Sequence, residues 1–164
     1  MPDWTEPMKT PVPILAVDDN PKNLAVIDSV LDSPEYQLIL VQTAQDALQA
    51  LLRMEFAALL LDVKMPVMSG YALARLIKGR KLNRHLPIIF ISGHHTDASD
   101  VRVGYAAGGA DYVCKPFDPF VVRAKVEVFA ELYRQRAALT TEANALRVEN
   151  ARLQQVLTTQ MRTN

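Results

Sequence analysis

Four short apolar runs of this chain each lead directly into residues that can carry chemistry. The runs are 14–17, 58–61, 88–91 and 112–114, and the residues after them are Asp18, Asp19, Asp62, Ser92 and Lys115. Nearly continuous apolar runs are typical of strands in a parallel sheet that is covered on both faces. Open sheets of this kind bind ligands at the carboxyl edge of their strands. The pattern therefore predicts one site at that edge, with three carboxylates, a hydroxyl and an ammonium.

Strand-like and helix-like segments alternate along the chain. The predicted strands are 13–18, 36–42, 57–61, 87–91 and 111–114, and the predicted helices are 21–32, 44–52, 70–77, 97–107 and a long one from Pro119 onward. This alternation indicates an α/β fold with a parallel sheet and helices on both faces. Proline and glycine are absent after Pro119, which favours a single long helix. We expect a flexible leader at 1–12, a domain at 13–134 and a helical extension at 135–164.

The composition of the chain limits the kinds of partner that we expect it to bind and the compartment in which we expect it. Eighteen acidic residues balance eighteen basic ones, so charge gives no reason to expect nucleic acid or an anionic membrane as a partner. No apolar run approaches the roughly 20 residues of a membrane-spanning helix. A secretory signal is not visible at the N-terminus, and the single Cys114 excludes an intrachain disulfide. These features lead us to expect a cytoplasmic protein.

The polar residues at the strand ends suit phosphoryl chemistry when taken together. Singly, an Asp after a strand is usually a helix cap and a strand-end Lys is usually exposed to solvent. Carboxylates that converge from separate strands repel one another, and a bound divalent cation such as Mg²⁺ relieves that repulsion. A carboxylate can then act as the nucleophile of phosphoryl transfer. Asp62 suits that role, with Asp18 and Asp19 on the metal and with Lys115 and Ser92 on the phosphoryl oxygens.

Four stretches of residues 13–134 form a set of motifs: 17–20 (VDDN), 61–70 (LDVKMPVMSG), 91–93 (ISG) and 111–117 (DYVCKPF). With these motifs, residues 13–134 resemble the receiver domains of bacterial two-component response regulators. The second stretch is highly specific, and all four occur in the family's order. The resemblance implies a flavodoxin-like sheet of five parallel strands in the order 2-1-3-4-5.

The same resemblance implies a role for each residue of the site. Asp62 would accept a phosphoryl group from a phosphohistidine on a histidine kinase or phosphotransfer protein. Asp19, Asp62 and the backbone carbonyl of Lys64 would bind Mg²⁺ directly, whereas Asp18 would act largely through water. Lys115 would pair with the acyl phosphate. The protein would thus be a signalling domain rather than an enzyme acting on separate substrates.

Ser92 and Tyr112 fall at the family's switch positions. On phosphorylation the hydroxyl would move toward the phosphoryl group and the aromatic ring would turn inward. Lys64 and His94 occupy positions that tune dephosphorylation in the family, although the Lys64 side chain could equally lie in solvent. His94 and His95 are adjacent on a loop, which is more typical of polar surface residues than of a metal site. The Lys115–Pro116 peptide bond matches one that is often cis in the family.

The C-terminal segment carries a heptad repeat. Leu132, Leu139, Leu146 and Leu153 recur every seven residues and occupy position d. Position a then includes Asn150, a residue type that favours parallel two-stranded pairing in register. We expect a parallel homodimer through residues 129–157. A solvated helix, or one packed back on its own domain, is the alternative.

The sequence also leaves other functions open. The chain could be the receiver fragment of a larger hybrid histidine kinase or diguanylate cyclase regulator. A Mg²⁺-dependent phosphohydrolase that uses Asp62 as its nucleophile is a different class. Such enzymes usually carry a second Asp two residues after the nucleophile, where this chain has Lys64. A dimerisation scaffold with an unused acidic pocket is a third possibility.

Overall fold

A computed structural model describes residues 10–93 and 98–163, which contain five strands and five helices. Residues 1–9 of the predicted leader, as well as His94 and His95, lie outside the described residues. The strands are β1 (Val12–Val17), β2 (Tyr36–Val41), β3 (Ala58–Asp62), β4 (Ile88–Ser92) and β5 (Asp111–Cys114). The helices are α1 (Pro21–Val30), α2 (Ala44–Arg53), α3 (Gly70–Gly79), α4 (Ala98–Ala106) and α5 (Pro119–Thr163).

The five strands form one parallel sheet in the order β2-β1-β3-β4-β5. The predicted fold class and strand order are therefore confirmed. The predicted strands and helices all occur, with ends that differ by one or two residues. Asp62 and Ser92 are each the last residue of a strand rather than the first residue after one.

The three central strands of the sheet are buried on both faces. Every residue of β1, β3 and β4 is buried, which accounts for the apolar character of these strands along their length. Leu15 and Leu59 pack in a cluster with residues of α2 and α3, including Leu51 and Leu73. Since side chains alternate along a strand, Ile14 and the other alternate residues point to the opposite face. The buried residues of α1 and α5 are Leu24, Ile27, Val30, Val122, Val126 and Ala130.

Side-chain caps fix where the helices of the domain begin. Asn20 accepts a hydrogen bond from the Lys22 amide at the start of α1, and Pro21 occupies the first helical position. Ser69 caps α3 in the same way through the Ala72 amide. These caps start the helices shortly after the carboxyl ends of β1 and β3. The short connections therefore keep the residues at those strand ends close together.

The chain divides into two compact units, with the boundary between Ala130 and Glu131. The first unit contains the sheet and the first part of α5. The second unit is the remainder of α5, in which the side chains are exposed from Gln135 onward as far as burial is described. Leu132, Leu139 and Leu146 are 54%, 66% and 59% exposed.

Candidate functional site

Three carboxylates meet at the carboxyl edge of the sheet, as the sequence predicts. Asp18 directly follows β1 and is 1% exposed, and Asp62 ends β3 and is 5% exposed. Asp19 is the exposed member of the group. Each of the three offers an oxygen, and these oxygens lie within 4.8 Å of one another. Since β1 and β3 are neighbours in the sheet, the strand register brings these carboxylates together.

Lys115 lies between two of these carboxylates. Its Nζ is 2.8 Å from Asp18 Oδ2 and 2.8 Å from Asp62 Oδ1. The backbone of Lys115 is held as well, because its N–H donates to the Ser92 carbonyl across β4 and β5 at 2.7 Å. The following Lys115–Pro116 peptide bond is cis. One ammonium thus contacts two of three carboxylates, which leaves two negative charges that a divalent cation would neutralise.

The electrostatics of the cluster show this excess of negative charge. Burial raises the pKa of Asp62 above its usual 3.8, and repulsion from Asp18 and Asp19 adds to the effect, although Lys115 opposes it. Burial alone would lower the pKa of Lys115. Its hydrogen bonds to Asp18 and Asp62 outweigh burial, so the Lys115 pKa is raised and its ammonium is retained. The raised pKa of Asp62 and the raised pKa of Lys115 are consistent with each other. Lys115 is shared between two carboxylates, so its positive charge neutralises each of them only in part.

Asn23 holds the Asp18 carboxylate from α1, and sequence reasoning missed this role. Its Nδ2 lies 3.1 Å from Asp18 Oδ1 and 3.0 Å from Oδ2. The backbone N–H of Asn20 donates to Asp18 Oδ1 at 2.9 Å. Together with Lys115, these donors surround both oxygens of Asp18, which have about four lone-pair positions between them. The only sequence signal is position, because Asn23 lies in the first turn of the helix that follows Asp18.

The proposed switch residues, Ser92 and Tyr112, lie on β4 and β5, which are paired in the sheet. Ser92 is 4% exposed, and its Oγ is 4.0 Å from Cys114 Sγ, the residue opposite it on β5. The Tyr112 ring contacts Phe90 with ring centroids 5.3 Å apart. Its hydroxyl hydrogen-bonds to the Tyr71 hydroxyl at 2.6 Å. Burial and this contact raise the pKa of Tyr112 above its usual value of 10.0.

Lys64 lies in the loop after β3 and is exposed. Its exposed side chain fits the expectation that it could lie in solvent. The metal-binding role of its backbone carbonyl remains a prediction.

Comparison with known proteins places this geometry in a family. Residues 14–127 match the response regulator receiver domain. The chain is 31% identical over 136 residues to "Probable cyclic di-GMP phosphodiesterase" of Vibrio cholerae serotype O1, covering 83% of this chain. It spans only 30% of that relative's length.

Two solved structures extend the comparison. The receiver domain of sensor histidine kinase PA1611 from Pseudomonas aeruginosa, with a magnesium ion coordinated in its active-site cleft, is 30% identical, with a TM-score of 0.67 over 74% of this chain and 99% of that one. The signal receiver domain of a histidine kinase from Syntrophus aciditrophicus is 29% identical, with a TM-score of 0.67 over 73% of this chain and 90% of that one.

The chain belongs to the response regulator receiver domain family. This confirms the resemblance noted from the sequence motifs, and the class of function is phosphorelay signalling. Within the described residues, no helix has the length and apolar character needed to cross a membrane.

Proposed function

We propose that Asp62 is the phosphoacceptor of a two-component phosphorelay. The donor is a phosphohistidine on a cognate histidine kinase or phosphotransfer protein, and the reaction takes place in the cytoplasm. The observation that carries this proposal is the position of Lys115, whose Nζ lies 2.8 Å from Asp62 Oδ1 within a cluster of three aspartates. A fixed ammonium beside a carboxylate nucleophile suits the transfer of a phosphoryl group.

The donor set fits Mg²⁺. Carboxylate and carbonyl oxygens are hard ligands, and Mg²⁺ proteins commonly supply one or two carboxylates and leave the remaining positions to water. Asp19, Asp62 and the Lys64 carbonyl would bind the ion. Asp18, whose oxygens already receive donors from Asn23 and Lys115, would act through water. The bound ion would neutralise charge on the phosphoryl oxygens, and the magnesium in the similar receiver of PA1611 supports this assignment.

The transfer requires one bond to form and one to break. An Asp62 carboxylate oxygen attacks phosphorus in line, and the bond between phosphorus and the donor histidine nitrogen breaks. The electron pair of the broken bond stays on the imidazole nitrogen. A phosphohistidine protonated at its other ring nitrogen leaves as neutral imidazole, and an unprotonated one takes a proton from solvent as it leaves. Lys115 then pairs with the transferred phosphoryl group, either through the third donor of its ammonium or after it releases one of its present carboxylate partners.

Ser92 and Tyr112 transmit the change to the surface. The Ser92 hydroxyl would turn toward the phosphoryl oxygens, and the inward position of the Tyr112 ring would be favoured. The phosphoryl group on Asp62 changes the local charge, and the new contact of Ser92 couples that change to a two-state element. The α4–β5 surface is therefore the region whose shape reports phosphorylation.

The second unit supplies the output surface in this proposal. Leu132, Leu139, Leu146 and Leu153 are all about half exposed or more, between 47% and 66%. A stripe of leucines at heptad spacing is buried when two such helices pair. We therefore place a parallel homodimer at residues 129–157, with no nucleic acid or membrane contact required.

A chemical phosphodonor tests the assignment of Asp62. The full chain is incubated with acetyl phosphate and Mg²⁺ and then examined by intact-mass spectrometry, with beryllofluoride binding as a second measurement. We expect one phosphoryl group per chain, removed by hydroxylamine as an acyl phosphate should be. Asp62→Asn should abolish the adduct.

Asp28→Asn is the matched control, because Asp28 is an exposed carboxylate on α1. It should leave the adduct unchanged. Rapid turnover of many phosphate esters without a stable adduct would favour a phosphohydrolase instead. An adduct that persists in Asp62→Asn would reject Asp62 as the acceptor, and the absence of any adduct in the wild type would favour a scaffold.

A further inference from the structure

Tyr112 is held by contacts from three other elements. Its hydroxyl lies 2.6 Å from the Tyr71 hydroxyl on α3 and 3.0 Å from the Asp100 carbonyl on α4, and its ring contacts Phe90 on β4. The Tyr71 hydroxyl also lies 3.1 Å from the Asp100 carbonyl. Since each hydroxyl has one proton, a consistent arrangement has Tyr112 donating to Tyr71 and Tyr71 donating to Asp100. The two tyrosines thus form a chain of hydrogen bonds that ends on α4.

A glycine on α4 makes room for this arrangement. A Cβ at Gly104 would lie 1.9 Å from the Tyr112 hydroxyl oxygen and 2.5 Å from its Cζ. Glycine inside a helix is unfavourable compared with alanine, so its presence here is accounted for by the close approach of the ring. The Tyr112 ring also contacts Tyr105, with centroids 5.7 Å apart. The position of Tyr112 is therefore determined by a notch on α4 together with a hydroxyl partner on α3.

We propose that Tyr71 is a positioning residue that holds the Tyr112 ring against α4 before phosphorylation. The ring lies between Phe90, Tyr71 and Gly104, which is its inward position. It occupies this position while Lys115 still bridges Asp18 and Asp62. The inference rests on the proposed function, in which phosphorylation of Asp62 favours the inward ring. A group that favours the same ring position must then strengthen phosphoryl binding, because the two equilibria are linked.

The size of the effect follows from one hydrogen bond between side chains. Removing the Tyr71 hydroxyl leaves the Asp100 carbonyl, 3.0 Å away, as the remaining partner of the Tyr112 hydroxyl. The equilibrium between inward and outward rings should therefore shift toward the outward position by at most about tenfold, the value of one lost side-chain hydrogen bond. The apparent affinity for beryllofluoride should fall by no more than that factor, because binding depends on the fraction of inward rings. The ring position is therefore the more direct quantity to measure.

Fluorine NMR of the full chain labelled with 3-fluorotyrosine measures the ring position directly. The Tyr112 resonance is identified from its loss in Tyr112→Phe, and Gly104→Ala provides the outward reference. We expect Tyr71→Phe to move the Tyr112 resonance toward that reference, and beryllofluoride with Mg²⁺ to restore it. Tyr105→Phe is the control, since Tyr105 touches Tyr112 through its ring, and it should leave the resonance and the beryllofluoride affinity near their wild-type values.

The outcomes separate this inference from the proposed function. A Tyr71→Phe protein that melts at a lower temperature but keeps the wild-type Tyr112 resonance and beryllofluoride affinity would show a merely structural role, and the inference would be wrong. Failure of the wild type to bind beryllofluoride would contradict the proposed function alone. The resonance of Tyr112 in Tyr71→Phe would then decide whether Tyr71 positions the ring.

Discussion

Asp62 is buried among like charges, and this arrangement favours reactivity over stability. Its carboxylate shares one ammonium with Asp18 and lies near Asp19 as well. The raised pKa of Asp62 records that the folded protein holds its proton more tightly than the unfolded chain does. In the proposed function a bound cation would relieve this repulsion, so the excess of negative charge favours metal binding.

The first prediction concerns the stability of Asp62→Asn without metal. The ionised carboxylate opposes folding, so we expect the variant to be more stable than the wild type near neutral pH by on the order of 1 kcal/mol. Because the folded-state pKa of Asp62 is raised, the stability contributed by its proton is present below the usual value of 3.8 and is lost as pH rises through the raised value. The advantage of the variant should therefore be smallest below pH 3.8, grow as pH rises through the raised pKa of Asp62, and stay level above it.

Urea denaturation at several pH values measures this difference. Addition of Mg²⁺ should stabilise the wild type and reduce the advantage of Asp62→Asn, since the variant lacks one of the proposed metal ligands. Asp28→Asn, on the exposed face of α1, provides the comparison for loss of a carboxylate at the surface. A variant less stable than the wild type at every pH would contradict the electrostatic account of the site.

Asn23 illustrates which residues of the site a sequence can reveal. The sequence motifs identify Asp18 and Asp62 because carboxylates that follow several buried strands are rarely all helix caps. Asn23 is one of several polar residues on an amphipathic helix, and nothing in its spacing distinguishes it from a surface residue. Its contact with Asp18 depends on how α1 is oriented over the sheet, with Nδ2 reaching both carboxylate oxygens. Tyr71 was missed for the same reason, because its partner Tyr112 is on a different element.

At the scale of elements, the loop between β3 and α3 is under local strain. Val67 has a φ of 70°, an unusual conformation for a β-branched residue, and the Met68 amide donates to the Pro66 carbonyl across it. This is a γ-turn of the rare kind with positive φ. The turn allows Gly70 to approach the end of β3, and its N–H donates to the carbonyl of Val63, the residue after the strand, at 2.9 Å. The start of α3 is therefore pressed against the strand that carries Asp62.

Substitution of Gly70 should show how tightly that approach is constrained. A Cβ at Gly70 would lie 2.2 Å from the Asp62 carbonyl oxygen, and the backbone cannot give way as a flexible side chain would. We expect Gly70→Ala to lower the free energy of unfolding by about 2–3 kcal/mol. It should also weaken beryllofluoride binding, because relief of the clash displaces Asp62.

Gly79→Ala is a matched control at the other end of the same helix. A Cβ at Gly79 meets nothing within 4 Å. Loss of a glycine should stabilise the protein there by about 0.4–1 kcal/mol through the unfolded chain. Denaturant titrations of both variants provide the comparison. Equal effects of the two substitutions would mean that the close approach at Gly70 has no energetic consequence.

Sequence pattern predicts the elements of this fold well because each buried strand is apolar along nearly its whole length. The limits of the elements are less predictable. The sequence suggests that α1 continues to residue 32, but the helix ends at Val30, and the Leu31 amide donates to the Ile27 carbonyl as a cap. Asp62 and Ser92 end their strands because backbone pairing with neighbouring strands extends one residue beyond the apolar run. Such pairing depends on register, which a single strand does not reveal.

At the scale of the whole molecule, the second unit carries a stripe of exposed leucines. Leu139 and Leu146 are 66% and 59% exposed, whereas the leucines of β1 and β3 are buried. Burial of leucine side chains stabilises by about 1.5–3 kcal/mol each, so a regular stripe of them provides a strong driving force for pairing. Asn150 lies in the same stripe and would restrict that pairing to one register.

The next prediction is that this stripe forms the dimer. Leu139→Lys should convert the protein to a monomer in sedimentation equilibrium, because it places two ammonium groups in the seam. Ala145→Lys adds the same charge at position c, away from the seam, and should remain dimeric. Truncation after Arg134 should give a monomer that still binds beryllofluoride. A truncated chain as dimeric as the full protein would place the interface on the first unit instead.

Orientation of the two helices is tested by cross-linking. In a parallel pair the two copies of position a lie side by side, so Asn150→Cys in a Cys114→Ser background should form an interchain disulfide readily under oxidation. In an antiparallel pair the same residues face different partners, and the cross-link should be slow. If beryllofluoride changes the rate of this cross-linking, the result would further show that a charge change at Asp62 alters the pairing of α5. Equal rates for Asn150→Cys and for Ala145→Cys in the same background would reject the parallel seam.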